Sequence, residues 1–102
     1  VIDWGKKPKV CDMVINTTSV GLKKDENLDL DFSEYRNNKN VLFYDIIYNP
    51  EETNFIKDAK SRGNKTMNGK IMFLKQAALS FKKWTEITPQ IDDEVIKLLD
   101  KW

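Results

Sequence analysis

The chain of 102 residues contains no histidine, one cysteine, three prolines and four glycines. Each scarcity removes a class of chemistry. Without histidine there is no His-based triad, no His metal site and no ordinary general acid or base at neutral pH. Cys11 alone makes neither an internal disulfide nor a Cys-rich zinc site, and it fits a reducing, cytoplasmic compartment. Charge of one sign is missing too: 17 basic residues face 16 acidic ones, for a net charge of +1. The lysines are scattered rather than striped, so no nucleic-acid or membrane-surface partner is expected. The longest apolar runs, such as residues 71–74, fall far short of a bilayer span, and no signal peptide opens the chain. Val1 stands first, which fits either loss of an initiator Met or excision from something longer.

What is present is 40% hydrophobic and 32% charged, ordinary for one small globular domain. Residues 12–16 form a short apolar run that stops at the polar cluster Asn16, Thr17, Thr18 and Ser19, followed by Gly21. Residues 41–48 are almost continuously apolar, as in a parallel strand buried on both faces. Asn49, Pro50, Glu51 and Glu52 then read as a helix start, with Asn as N-cap, Pro in the first helical position and glutamates at the positive end of the dipole. Phe55, Ile56 and Ala59 share one face of that helix, and Gly63 stops it. Residues 65–68 predict a short third strand, ended by Gly69. A long helix is expected over 70–84, with Ile71, Leu74, Ala78 and Phe81 as its apolar stripe and Ala77 and Trp84 beside it. Aromatic residues at this spacing are assigned to core packing. A last helix is expected over 91–102, where Ile91, Val95, Leu98, Leu99 and Trp102 recur at helical spacing behind Asp92, Asp93 and Glu94.

The order β, long connection, β, α, β, α, α predicts an α/β fold of about three parallel strands with flanking helices. The connection 17–40 is long for an unstructured loop. In it Leu28, Leu30 and Phe32 alternate with aspartates, and Ser33, Glu34 and Tyr35 can form one helical turn.

In open parallel sheets ligands bind beyond the carboxyl ends of the strands. The first end offers Asn16, Thr17, Thr18 and Ser19, the second Tyr48, the third Gly69, where a missing side chain admits a close approach. Each has a structural reading beside the functional one. The Asn-Thr-Thr-Ser cluster also suits a solvated turn, Tyr48 a core aromatic, and Gly69 a tight turn. Asp45, inside an apolar strand, needs a partner, for which the backbone amides of a neighbouring loop are the expectation. By periodicity alone Gln76 faces solvent.

Taken together, these segments resemble the carboxyl-terminal part of shikimate dehydrogenase. The resemblance is carried by residues 14–22, from Val14 through Asn16-Thr17-Thr18-Ser19 to Gly21 and Leu22. It continues through Tyr44-Asp45-Ile46-Ile47-Tyr48-Asn49-Pro50 with Glu52-Thr53, then Gly69 to Met72, Gln76 to Phe81, and Trp84-Thr85, covering about residues 10–102 in order. It implies a partial Rossmann-like domain: residues 1–102 as the C-terminal half of an NADP-binding domain, a fragment of a longer enzyme. That family reversibly reduces 3-dehydroshikimate to shikimate with NADPH in aromatic amino-acid (chorismate) biosynthesis, in a cleft between this domain and an N-terminal substrate domain.

By resemblance Thr18 and Ser19 border the cofactor, Ile46 and Gly69 lie near the nicotinamide, and Tyr48 and Gln76 hydrogen-bond the substrate. This reverses the pattern reading of Gln76, because a helix face that looks exposed can meet a second domain. The family's proton-handling lysine and aspartate belong to the other domain and match no position here, and no Gly-rich phosphate loop is present, so no catalytic residue and no metal ligand is assigned. The chain departs from the family at Ile71, where Gly is frequent and a branched side chain is expected to crowd the cleft, and at Thr17 and Ile46, where Ala and Met or Val are common. Two alternatives remain open: a fragment of an NAD-dependent quinate/shikimate dehydrogenase, and a non-catalytic half-Rossmann interaction or ligand-binding domain. The chain alone is expected to be inactive and to self-associate through the open edge of its first strand.

Overall fold

Strand-forming sequence and helix-forming sequence alternate along the chain, and the computed structural model, which describes residues 1–7 and 9–101, follows that alternation. Three strands, β1 (Met13–Asn16), β2 (Leu42–Asp45) and β3 (Lys65–Met67), form one sheet in the order β1-β2-β3. Both pairs are parallel, with Asn16 opposite Asp45 and Tyr44 opposite Met67. The helices are α1 (Asn54–Arg62), α2 (Lys70–Thr85) and α3 (Asp93–Leu99). An α/β arrangement of three parallel strands and three helices is therefore what the sequence pattern specifies. The chain divides into two units, Val1–Gly69 and Lys70–Trp102.

In the first unit the residues around β2 alternate. Val41, Phe43, Asp45 and Ile47 are buried, while Leu42, Tyr44, Ile46 and Tyr48 are half-buried. The expectation of burial on both faces holds fully for one face only, the face on which Val41 and Phe43 pack with Tyr35 and Ala59 in the core. Phe43 is its centre: the rings of Phe32, Tyr35 and Phe55 lie 5.3, 5.3 and 5.4 Å from it, and the Arg62 guanidinium stacks at 4.7 Å. Phe32 and Tyr35 come from the long connection, where Ser33–Tyr35 forms the expected single turn, of 3-10 type. Two buried rings, Tyr35 and Phe43, with the half-buried rings of Phe32 and Phe55 packed against them, give this short sheet a core that a three-stranded layer alone lacks.

Helix α1 begins four residues later than Asn49 predicts. Thr53 is the N-cap, its side chain accepting from the Ile56 amide, and Glu51 and Glu52 precede the helix. The reason is tertiary: the Thr53 hydroxyl also donates to the buried Asp45 carboxylate at 2.6 Å, which fixes the cap there. Gly63 ends α1 in the left-handed region at φ 86°, as its position in the sequence requires.

In the second unit Leu74 of α2 is buried, but Ile71, Phe81 and Trp84 are exposed, Trp84 at 82%. The assignment of these aromatics to core packing is thus corrected for Phe81 and Trp84: one long helix followed by a short one offers too little surface to cover a full turn of large side chains. Helix α3 is shorter than expected. Asp92 caps it by accepting from the Val95 amide at 3.0 Å, so Ile91 lies before it, and Trp102 lies outside the described residues. No helix among the described residues is long and apolar enough to cross a membrane.

Candidate functional site

The carboxyl end of β1 turns sharply because Asn16 is spent on the turn itself. Its Oδ1 accepts from the Thr18 amide at 3.0 Å and the Thr18 hydroxyl at 2.7 Å, an Asx-type closure. Its Nδ2 donates to the Val20 carbonyl at 3.0 Å and to Asp45 at 3.3 Å. All four hydrogen bonds an Asn side chain can make in this setting are made inside the protein, so Asn16 is removed from the set of ligand donors that the sequence proposed. Thr18 Oγ1 in turn accepts from the Val20 amide at 3.1 Å. The loop is closed further on by Glu26, which accepts from the amides of Gly21 at 3.0 Å and Lys23 at 3.3 Å. Those two amides hold the Glu26 carboxyl below its ordinary value of 4.5. Gly21 has φ 116°, and a Cβ there would lie 3.1 Å from Thr53 Cγ2, so any side chain at this position would be strained and would crowd the start of α1.

The carboxyl end of β2 is organised by Asp45, which is wholly buried. Its Oδ1 accepts from Asn16 Nδ2 and, at 3.0 Å, from the Ile47 amide; its Oδ2 accepts from Thr53. The expected backbone-amide partner is therefore present, though it comes from Ile47, two residues further along the chain and just past the end of β2, rather than from a neighbouring loop. Sequence reading missed the Thr53 partner. A Thr directly before the amphipathic stretch 54–62 is itself an N-cap signal, and Asn49-Pro50 outweighed it.

Between these two strand ends lies an open cleft of about 540 Å³, lined by Thr17, Thr18, Ser19, Leu22, Ile46, Ile47, Tyr48 and Asn49. Four of the six residues singled out from the sequence, Thr18, Ser19, Ile46 and Tyr48, thus line one volume at the place where parallel sheets hold ligands. Gly69 stands against its wall: its amide donates to the Ile47 carbonyl at 3.1 Å, and a Cβ would sit 1.8 Å from the Ile46 carbonyl oxygen. That backbone approach explains the glycine without any ligand. Gln76, the sixth, is an exposed residue of α2 and belongs to the other unit, as does Ile71. The volume is within the usual range for small-molecule sites. Leu22, Ile46 and Ile47 give it an apolar wall, and Thr17, Ser19 and Asn49 bring polar groups to its rim. This combination suits the nicotinamide end of a dinucleotide, a flat ring carrying an amide and a ribose. Gly5, Gly21, Gly63 and Gly69 stand singly, so the chain offers no Gly-rich loop for the pyrophosphate.

No protein-family model matches the chain. It is 46% identical over 100 residues to the shikimate dehydrogenase (NADP(+)) of Pelagibacter ubique (strain HTCC1062), a match covering 98% of this chain and 37% of that protein. A crystal structure of a shikimate dehydrogenase in complex with NADP+ superimposes with a TM-score of 0.73 at 36% identity, over 88% of this chain and 31% of that one. The ligand-free 5-ketofructose reductase of Gluconobacter sp. strain CHM43 gives a TM-score of 0.75 at 28% identity, over 93% of this chain and 34% of that one. The chain spans about a third of the length of the relatives it matches. On sequence and on fold alike, it belongs to the shikimate dehydrogenase family.

Proposed function

We propose that the chain is the C-terminal half of the Rossmann-like NADP-binding domain of a cytoplasmic shikimate dehydrogenase. As the intact enzyme, with an N-terminal substrate domain, it reversibly reduces 3-dehydroshikimate to shikimate. The observation that carries this reading is the cleft, which gathers Thr18, Ser19, Ile46 and Tyr48 although the long connection separates them in sequence. Thr18 and Ser19 border the cofactor, and Ile46 with Gly69 forms the wall beside the nicotinamide. The cofactor supplies the hydride when bound. The residues of this chain position it: the apolar wall of Ile46 and Ile47 excludes water from one side of the ring, and the hydroxyls of Thr17 and Ser19 hold its polar edge. Tyr48 and Gln76 contribute a phenol and an amide that hydrogen-bond the substrate hydroxyls and fix the distance over which hydride passes.

Amide NMR spectra of the nitrogen-labelled chain recorded during NADPH addition test this assignment. The expected result is a set of shifts concentrated at Thr17, Thr18, Ser19, Ile46 and Gly69. Shifts centred on another surface would contradict it. The likeness to 5-ketofructose reductase supports a second reading, in which the same cleft serves a different polyhydroxy ketone. Comparing shikimate with 5-ketofructose as the second addition separates the two, through the shift of Tyr48. The open edge of β1 further supports self-association of the isolated chain.

A further inference from the structure

Among the described residues Asp45 is the only carboxylate shut off from solvent, and the proposed reaction does not use it. Its three donors come from three separate segments: Asn16 ends β1, Ile47 follows β2, and Thr53 caps α1. All three donate, which is what a carboxylate accepts and an amide does not, since an Asn side chain would turn its own N–H₂ toward one of them. Asn16 relays the contact onward, because its other end holds both the amide and the hydroxyl of Thr18. Ile47 lies between Ile46 and Tyr48 and shares the cleft with both. One buried group is therefore within one side chain of each wall of the cleft.

We propose that Asp45 is a positioning residue whose carboxylate sets the separation between the 17–22 loop and the segment that follows β2. A hydrophobic side chain of similar size would fill the same space and leave both walls untied. The benefit to the protein rests on the proposed role of the cleft, whereas the geometry is testable without a ligand, so either can fail alone.

The test is amide hydrogen exchange on the chain and on Asp45→Asn. Global destabilisation lowers protection evenly, whereas a lost tie lowers it locally. Leu42 and Lys65, whose amides donate to the Asp12 and Val41 carbonyls, read the sheet. The expected result is a loss of protection at Thr18 and Ile47 about tenfold greater than at Leu42 and Lys65, as follows from losing hydrogen bonds to a charged acceptor. An equal loss at all four would overturn the proposal and leave Asp45 as a contributor to overall stability. Should Asp45→Asn fail to fold, Thr53→Val removes a single donor from the same carboxylate. It is expected to loosen Thr18 and Ile47 together, and loosening of Ile47 with Thr18 unchanged would overturn the tie.

Discussion

At Gly69 a single hydrogen decides whether the third strand can end where it does. Its backbone runs against the Ile46 carbonyl, and the 1.8 Å separation that a Cβ would impose cannot be relieved by rotating a side chain. Gly69→Ala is expected to cost about 3 kcal/mol and to lower the melting temperature by more than roughly 10 °C. Thermal unfolding followed by circular dichroism checks this, and an unchanged midpoint would contradict it. Glu26 gives a residue-level pH effect. Its carboxyl is depressed in the folded chain by the Gly21 and Lys23 amides, so its contribution is present above its ordinary value of 4.5 and is lost as pH falls through the lower folded value. Exchange of the Gly21 and Lys23 amides should accelerate, relative to other amides, across that acidic window. Glu26→Gln, which cannot titrate, should abolish the transition.

At the scale of elements, β1 is the exposed piece. It pairs with β2 on one side, no described strand pairs with it on the other, and Met13 and Ile15 are each 49% exposed. An apolar cavity of about 360 Å³, lined by Ile2, Trp4, Val14, Leu28 and Leu30 among others, lies beside it. Strands of this kind pair with further copies unless a charge intervenes. The isolated chain is expected to sediment as dimers or larger species at high concentration, and Ile15→Lys is expected to shift it toward monomer. A monomeric profile for the unaltered chain would contradict this.

Element type was legible because the patterns were clear: the nearly continuous apolar run after Val41, the face of Phe55, Ile56 and Ala59, and Gly63 as a stop, whereas the alternating burial along 41–48 emerged only in the fold. The start of α1 was misread because Asn49-Pro50 is a good local cap signal, whereas the true cap, Thr53, is chosen by a carboxylate that reaches it only in the fold. Phe81 and Trp84 were misread for the opposite reason. Their helical spacing marks a face that seeks a partner, and spacing does not reveal whether this chain supplies one.

On the scale of the whole molecule, the cleft at the strand ends was legible in the sequence as a place. The rule that ligands sit beyond strand ends singled out Thr18, Ser19, Tyr48 and Gly69, and the family resemblance added Ile46 and Gln76. The tie through Asp45 was not legible beyond its need for a partner, because it joins β1, β2 and α1 through side chains far apart in sequence. In the proposed role this chain contributes cofactor and substrate contacts but not the proton-handling pair. The purified 102-residue chain is therefore expected to show no shikimate-dependent reduction of NADP+.

The most direct measurement is the steady-state rate of that reduction by a full-length protein carrying this chain, unaltered and as Tyr48→Phe and Gln76→Ala. Loss of one substrate hydrogen bond predicts a fall in kcat/KM of about tenfold to a hundredfold for each variant, with folding intact. Turnover by the unaltered protein that neither substitution changes would contradict the assignment of these residues to the substrate.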